Sequence, residues 1–493
     1  MSLVTPTEPV PLADLGRVHF AGIGGAGMSG IARIMLARGV SVSGSDSAGS
    51  AALAELGALG ARVHVGHRAE YLGDADTLVV SSAIRQDNPE LAEARRRGIR
   101  VLHRAAALAS LTFGRRVIAV TGTHGKTTTT SMITTVLREA GADPGYVIGG
   151  VLAATGTGAA DGAGPDFVAE ADESDGSFLM LAPDVAVVTN IEADHLDNYG
   201  TAEAYRASFG AFAARVRPGG LLVACADDPG ARELAARARD LGLRVRSYGE
   251  SADADYRVDG TRSRGMETTF AVHSSRGPFG MIDSGIALGV PGRHNALNAA
   301  AAFAAAVELG IEPGRAAAAL GGYRGTARRM EPKGEAGGVR VIDTYAHHPT
   351  ELAADLRAAR GIAGAGRVIA VFQPHLYSRT RIFAAEFGAA LALADEVVVL
   401  DVYAAREDPE PGVTGKLVAD AVPGGAARYV GSLADAPRVV ASLAAPGDLV
   451  LTMGAGDVTR LGPLVLGELA AGPGPAPSGP TAPGPAASGA ARP

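Results

Sequence analysis

The stretch VTGTHGKTTTTSM, Val120 to Met132, decides the reading of this chain. It follows the apolar run Val117 to Val120 and leads into an amphipathic segment ending near Arg138, so it reads as strand, tight turn and helix. A helix start presents unpaired N–H groups and the positive end of the helix dipole, which together favour an anion. Gly122 and Gly125 let the backbone of the turn, with Thr123 and His124 between them, wrap an oxygen-rich ligand. Lys126 can reach the outer phosphates, and the hydroxyl of Thr127 or Thr128 can join a magnesium shell. The expected guest is a nucleoside triphosphate. The spacing GxxxxGK[ST] would need a glycine where Val120 stands, so this loop is shorter than the standard one. A glycine-threonine helix cap with an incidental lysine is the plainer alternative. Against it, Lys126, Lys333 and Lys416 are the only lysines in an arginine-rich chain, and a tight phosphate loop needs a compact ammonium.

Around this loop the chain has 493 residues, 47% hydrophobic and 20% charged, enough for two to four domains. A net charge of -7 and the lack of a Lys/Arg-rich block argue against a nucleic-acid surface. Arg95 to Arg97 reads as a solvated helix end. The start MSLVTPTEPVPLADLG lacks the basic and apolar regions of an export signal, and polar residues interrupt every long apolar stretch. The expectation is a cytoplasmic enzyme with no membrane insertion. Cys225 is the only cysteine, so an internal disulfide and a cysteine metal cluster are excluded; LLVACADD suggests a buried strand thiol.

The organisation expected is α/β throughout. Residues 1–16 read as a flexible leader. Residues 17–112 alternate short apolar runs with helical patterns, a parallel α/β unit. Residues 113–325 carry the lysine loop and the strands in DFVAEAD, DVAVVTN and GLLVACA; residues 326–471 carry VRVIDTY, RVIAVFQPH, EVVVLDVY and DLVLTMGAG. Residues 472–493 form a Pro/Gly/Ala tail expected to be disordered. Ligands of open parallel sheets gather at the carboxyl ends of strands, where the polar groups of these motifs fall.

Four further constellations bear on chemistry. HFAGIGGAGMSG matches GxGxxG at Gly22, Gly24 and Gly27, between a strand and a helix, and Asp46 at the next strand end could accept from a ribose hydroxyl. This geometry suits a nicotinamide dinucleotide or a UDP-sugar equally. EADESDGSF places Glu170, Asp172, Glu173 and Asp175 at one strand end, and NIEADHLD places Asn190, Asp194 and His195 at the next, a carboxylate and imidazole set suited to a divalent metal beside phosphates. In PGRHNALNA, Asn295 and Asn298 can read a purine edge or cap the helix. DTYAHHPTE and FQPHLYSRT bring Tyr345, His347, His348, His375 and Arg379 to strand ends, where an arginine could take a carboxylate in bidentate fashion.

The ordered set GIGGAGMSG, TGTHGKTTT, EADESDGSF, NIEADHLD, PGRHNALNA, YAHHPTE and FQPHLYSRT, across roughly residues 17 to 470, resembles the Mur ligases of bacterial peptidoglycan synthesis. The resemblance implies three domains: a Rossmann-like UDP-sugar domain, a P-loop central ATPase domain and a Rossmann-like domain that brings the amino acid. It is strongest to those members that join L-alanine to UDP-N-acetylmuramate, and implies ATP-driven activation of the lactyl carboxylate as an acyl phosphate, with ATP and Mg2+ as cofactors. A monomer or homodimer is expected, and the sequence does not choose between them. By motif, the resemblance implies that Lys126 steadies the β- and γ-phosphates, that Thr127, Glu173 and His195 hold metal and that Asn295 meets adenine. It further implies that Arg329 approaches the transferring phosphate and that Tyr345, His347 and Arg379 surround alanine.

Three positions depart from the family pattern: Thr344 stands where an acid is common, Leu376 where an arginine is common, and Met330 where an aromatic is usual. Several related ligases bridge a second magnesium with a carbamylated lysine; no lysine lies between Lys126 and Lys333, so that device is absent here. The alternatives are a ligase that attaches a ready-made murein peptide to the same UDP-sugar, a nicotinamide-dependent oxidoreductase, and a nucleotide-binding protein without chemistry.

Overall fold

The computed structural model describes residues 3–405 and 407–471; the tail expected to be disordered lies outside the described residues. Three sheets follow one another along the chain. The first has five parallel strands, Val18–Ala21, Val42–Asp46, Arg62–Val65, Thr77–Val80 and Arg100–His103, with the first strand in the middle and its neighbours the second and fourth. Strand order therefore reverses at the carboxyl end of Val18–Ala21, where the glycine turn begins. The following helix, Ala26–Ala37, buries Met28, Ile31, Ala32, Ile34 and Met35. Each large apolar side chain buried there contributes roughly 1.5–3 kcal/mol.

The central sheet has ten strands, and Arg116–Thr121 lies between Val185–Val188 and Asp166–Glu170, parallel to both. This is a second point of reversal, and the lysine loop leaves from it, as expected for a ligand crevice in an open α/β sheet. The helix after the loop, Lys126–Glu139, is buried from Thr127 to Leu137 although threonine and serine fill it. Four of its hydroxyls are satisfied locally: Thr130, Ser131, Thr134 and Thr135 each donate to the carbonyl four residues earlier. The small residues of the alanine-rich helix Arg293–Glu308 let it pack closely against this one, and it is buried from Ala299 to Val307. One edge of the sheet is an antiparallel meander, Tyr256–Arg264, Glu267–Gly277 and Gly280–Leu288, which the motif reading passed over.

The third sheet has six strands in the spatial order Glu331–Ala336, Val339–Thr344, Leu449–Met453, Val368–Phe372, Glu396–Leu400 and Ala427–Val430, parallel except for the first. Separate apolar clusters cover its two faces. The first two units share one continuous core, with Arg38 of the first paired to Asp161 of the second at 2.6 Å. The described part of the leader, residues 3–16, is not loose as expected: Val4 N–H donates to Asp175 O at 2.9 Å, and Leu15 is fully buried. Its apolar residues have a core to join, which composition alone did not show. No helix among the described residues is long and apolar enough to cross a membrane.

Candidate active site

The lysine loop forms as the sequence predicts, and glycine is required at both of its turning points. Gly122 has φ +131°, and a Cβ there would overlap Thr189 Oγ1. Gly125 has φ +81°, and a Cβ would sit 2.5 Å from Asn298 Oδ1. Gly125 precedes the helix with no side-chain cap, so the first N–H groups of the helix face the loop. Neighbouring strand ends brace the turn: Thr123 N–H donates to Asn190 O at 3.0 Å and His124 N–H to Asn190 Oδ1 at 2.8 Å. Lys126 Nζ reaches Gly122 O at 2.7 Å, Thr123 O at 3.1 Å and Glu173 Oε1 at 2.8 Å.

Glu173 is completely buried, and its second carboxylate oxygen has no hydrogen-bond partner among the described residues. Burial pushes its carboxyl up to about 7 against the opposing pull of Lys126, with Asp172 adding to the rise. His195 Nε2 lies 3.8 Å from Glu173 Oε1, and burial lowers the imidazole's pKa, helped by Arg379 and opposed by Asp194. A buried carboxylate oxygen without a partner beside a neutral imidazole fits a magnesium ion. Thr127 is less simply placed: its hydroxyl donates to Glu170 Oε1 at 3.0 Å and accepts from Arg329 Nη2 at 3.3 Å. Thr128 lines the adjoining cavity.

That cavity, of about 320 Å³, opens between the loop and the third sheet and is lined by His124, Gly125, Thr128, Asn295, Asn298 and Arg329 among others. Its size and mixed lining suit a nucleoside. Asn295 is committed in part, since its Nδ2 donates to Pro291 O at 2.7 Å and its Oδ1 accepts from Asn298 Nδ2 at 3.3 Å. Cys225, at a strand end as read, borders the same cavity, and burial pushes its thiol up to about 11.

The third domain meets the loop through charged side chains. Arg329 and Arg328 lie over the ring of Tyr345, at 5.1 and 4.8 Å. Tyr345 in turn stands edge-on to His347, their centroids 5.3 Å apart. Burial takes His347 down to about 4, and its main-chain N–H donates to Glu351 Oε2 at 3.0 Å. Arg379 does not stand open for a ligand carboxylate: its Nη2 donates to both oxygens of Asp194 at 3.1 and 3.2 Å. Leu376 adopts φ +70° at the start of the helix carrying Arg379, Thr344 Oγ1 donates to Asp355 Oδ2 at 2.5 Å, and Met330 lines the cavity.

In the first domain Gly22 takes φ +80° and Gly27 abuts Arg104, whose Nη1 would lie 3.2 Å from an added Cβ. Asp46 Oδ2 accepts from Gly24 N–H at 2.9 Å, so the carboxylate also closes the glycine turn. Arg104 Nη2 donates to Asp172 Oδ2 at 2.6 Å and links this turn to the acidic run of the central domain. Arg104, Glu192 and Glu351 carry no motif of their own; their signal in the sequence is only a charged residue near a strand end or helix start.

Three family models match the chain in order: the Mur ligase family catalytic domain over residues 17–116, the Mur ligase middle domain over 120–306, and the Mur ligase glutamate ligase domain over 328–456. The chain is 59% identical, over 94% of its length and 99% of the relative's, to a UDP-N-acetylmuramate–L-alanine ligase of Thermobifida fusca. Its structure is similar to that of a UDP-N-acetylmuramate–alanine ligase of Thermotoga maritima, with a TM-score of 0.77 and 30% identity over 92% of this chain and 98% of that one. A murein peptide ligase of Psychrobacter arcticus has the same fold, with a TM-score of 0.69 and 24% identity over 92% and 99%.

Proposed function

The chain belongs to the Mur ligase family, and from that premise we infer that it joins L-alanine to the lactyl carboxylate of UDP-N-acetylmuramate at the expense of ATP. The observation that carries the reading is the convergence of third-domain side chains on a phosphate-type loop, with Arg329 Nη2 3.3 Å from Thr127 Oγ1 and Glu351 Oε1 3.3 Å from His124 Nδ1, beside the Lys126–Glu173 pair at 2.8 Å. A dehydrogenase has no use for that loop, and a binding protein has none for a buried carboxylate, imidazole and lysine set beside it.

In this reading the lactyl carboxylate attacks the γ-phosphorus, ADP leaves, and an acyl phosphate forms. The unprotonated amine of alanine then attacks the acyl carbon, and the tetrahedral intermediate expels phosphate. Lys126 leaves Glu173 to meet the β- and γ-phosphoryl oxygens, where its charge offsets what develops in transfer. Arg329, held over Tyr345, stabilises the same oxygens from the third domain. Glu173, His195 and the hydroxyl of Thr127 would hold magnesium, which supplies charge neutralisation between the phosphates. Asn295 faces the adenine. Arg379 takes the carboxylate of alanine once Asp194 gives way, with Tyr345 and His347 alongside. The glycine turn at Gly22, Gly24 and Gly27 takes the UDP diphosphate, and Asp46 keeps that turn in shape. Apposition of the third domain keeps water from the acyl phosphate. A cytoplasmic location agrees with these substrates.

The test is substrate dependence. Phosphate release from ATP with UDP-N-acetylmuramate should require L-alanine, and a murein tripeptide should not replace it. Release with the tripeptide alone would assign the chain to the peptide-adding ligases.

A further inference from the structure

Where the lysine loop meets the third domain, a cluster of side chains includes the imidazole of His124, whose main chain belongs to the phosphate turn but whose ring takes no part in the ligation steps described above. His124 in the loop, Glu192 beyond the strand Val185–Val188, and His348 at the start of the helix Pro349–Ala363 each offer one ligand atom, all within 4.8 Å of one another. His124 Nε2 is 3.1 Å from Glu192 Oε2, and the rings of His124 and His348 have centroids 4.6 Å apart. His348 is 3% exposed, and its Nε2 has no hydrogen-bond partner among the described residues. Burying an imidazole nitrogen unpaired is costly unless something takes its bonding capacity. The other nitrogen of His124, Nδ1, lies 3.3 Å from Glu351 Oε1. A carboxylate on the far nitrogen is the arrangement that orients a metal-binding imidazole and raises its basicity.

We propose that His124, Glu192 and His348 form a binding site for a divalent transition metal of the zinc class, separate from Thr127, Glu173 and His195, and that the bound ion ties the lysine loop to the third domain. Two imidazoles and one carboxylate are a zinc-type donor set, whereas magnesium prefers oxygen. His124 and Glu192 also border the nucleoside-sized cavity, which leaves room for water as a fourth ligand. Coordination through His348 Nε2 places that ring's remaining proton on Nδ1 and gives up the contact from Thr350 N–H, which at 3.4 Å is already long. Because two ligands belong to the central domain and one to the third, the ion holds the apposition seen here and slows the opening that releases product.

The test uses the full chain, treated with chelator and titrated with Co2+ as a coloured substitute for zinc, in excess Mg2+. The wild type should bind one Co2+ with the visible absorption of a four-coordinate ion, and zinc should displace it. His348→Asn, which keeps a helix-capping side chain, and Glu192→Gln should each weaken binding at least 10-fold, while Glu173→Gln should leave it unchanged. Absence of the absorption in the wild type, equal binding by both site variants, or its loss in Glu173→Gln would overturn the proposal.

Discussion

Arg379 of the third domain and Asp194 of the central domain form an ion pair across the domain boundary, with the two side chains only 7% and 6% exposed. Removing one member of a buried pair strands the other charge, at a cost of about 3–5 kcal/mol, whereas replacing both by apolar groups is far milder. Arg379→Ala should therefore lower the midpoint of urea denaturation and raise the KM for alanine. The double variant Arg379→Leu with Asp194→Leu should recover much of the midpoint and none of the alanine binding. Recovery of both would show that the pair is only structural.

Lys126→Ala should reduce alanine-dependent phosphate release by at least about 10²-fold, the scale of losing one charge-stabilising donor in a transition state. UDP-N-acetylmuramate should still bind to the first domain with near-normal affinity by calorimetry. Lys126→Arg should not rescue, because a planar guanidinium cannot make the three contacts of Nζ at 2.7 to 3.1 Å.

Gly125→Ala should be worse than its size suggests. Its φ of +81° strains any side chain, and the new methyl would meet Asn298 Oδ1 at 2.5 Å. A loss of about 1–3 kcal/mol in stability is expected, together with a raised KM for ATP. A variant with wild-type KM would mean that the loop conformation does not matter for nucleotide binding.

Cys225 should react slowly with iodoacetamide. Its thiol is pushed from 9.0 up to about 11 by burial, so at pH 8 the thiolate population falls roughly 100-fold below that of an unperturbed thiol. The alkylation rate should climb with pH through this range, and ATP should slow it further because Cys225 borders the cavity. Cys225→Ala should remain active, since no proton or phosphoryl transfer uses the thiol.

The placement of the candidate residues was legible where they sit at strand ends next to local signals. Gly122 and Gly125, Lys126 and the threonines after it are contiguous, and a change from strand to helix periodicity marks the turn. Glu173 and His195 lie on runs that follow apolar strands directly. The pairing of Asp194 with Arg379 was not legible, because 185 residues and a domain boundary separate them. Asp46 shows a different limit: the strand-end position suggested a ligand contact, and the bond its carboxylate accepts from Gly24 N–H depends on the shape of the turn, which the sequence does not display. The leader was misread for a related reason. Its few apolar residues have no periodicity, and what holds them is a main-chain bond from Val4 to Asp175, far along the sequence, and a core that Val10, Leu12 and Leu15 pack against.

The central claim is that the lysine loop holds ATP while a sugar-nucleotide carboxylate is activated and then captured by alanine. Phosphate release from ATP and magnesium should be measured with UDP-N-acetylmuramate and with L-alanine added or withheld, and the product weighed by mass spectrometry. The account predicts release only with both substrates and a product heavier than UDP-N-acetylmuramate by one alanyl residue. Silence with both present, or release without any alanyl product, would contradict it.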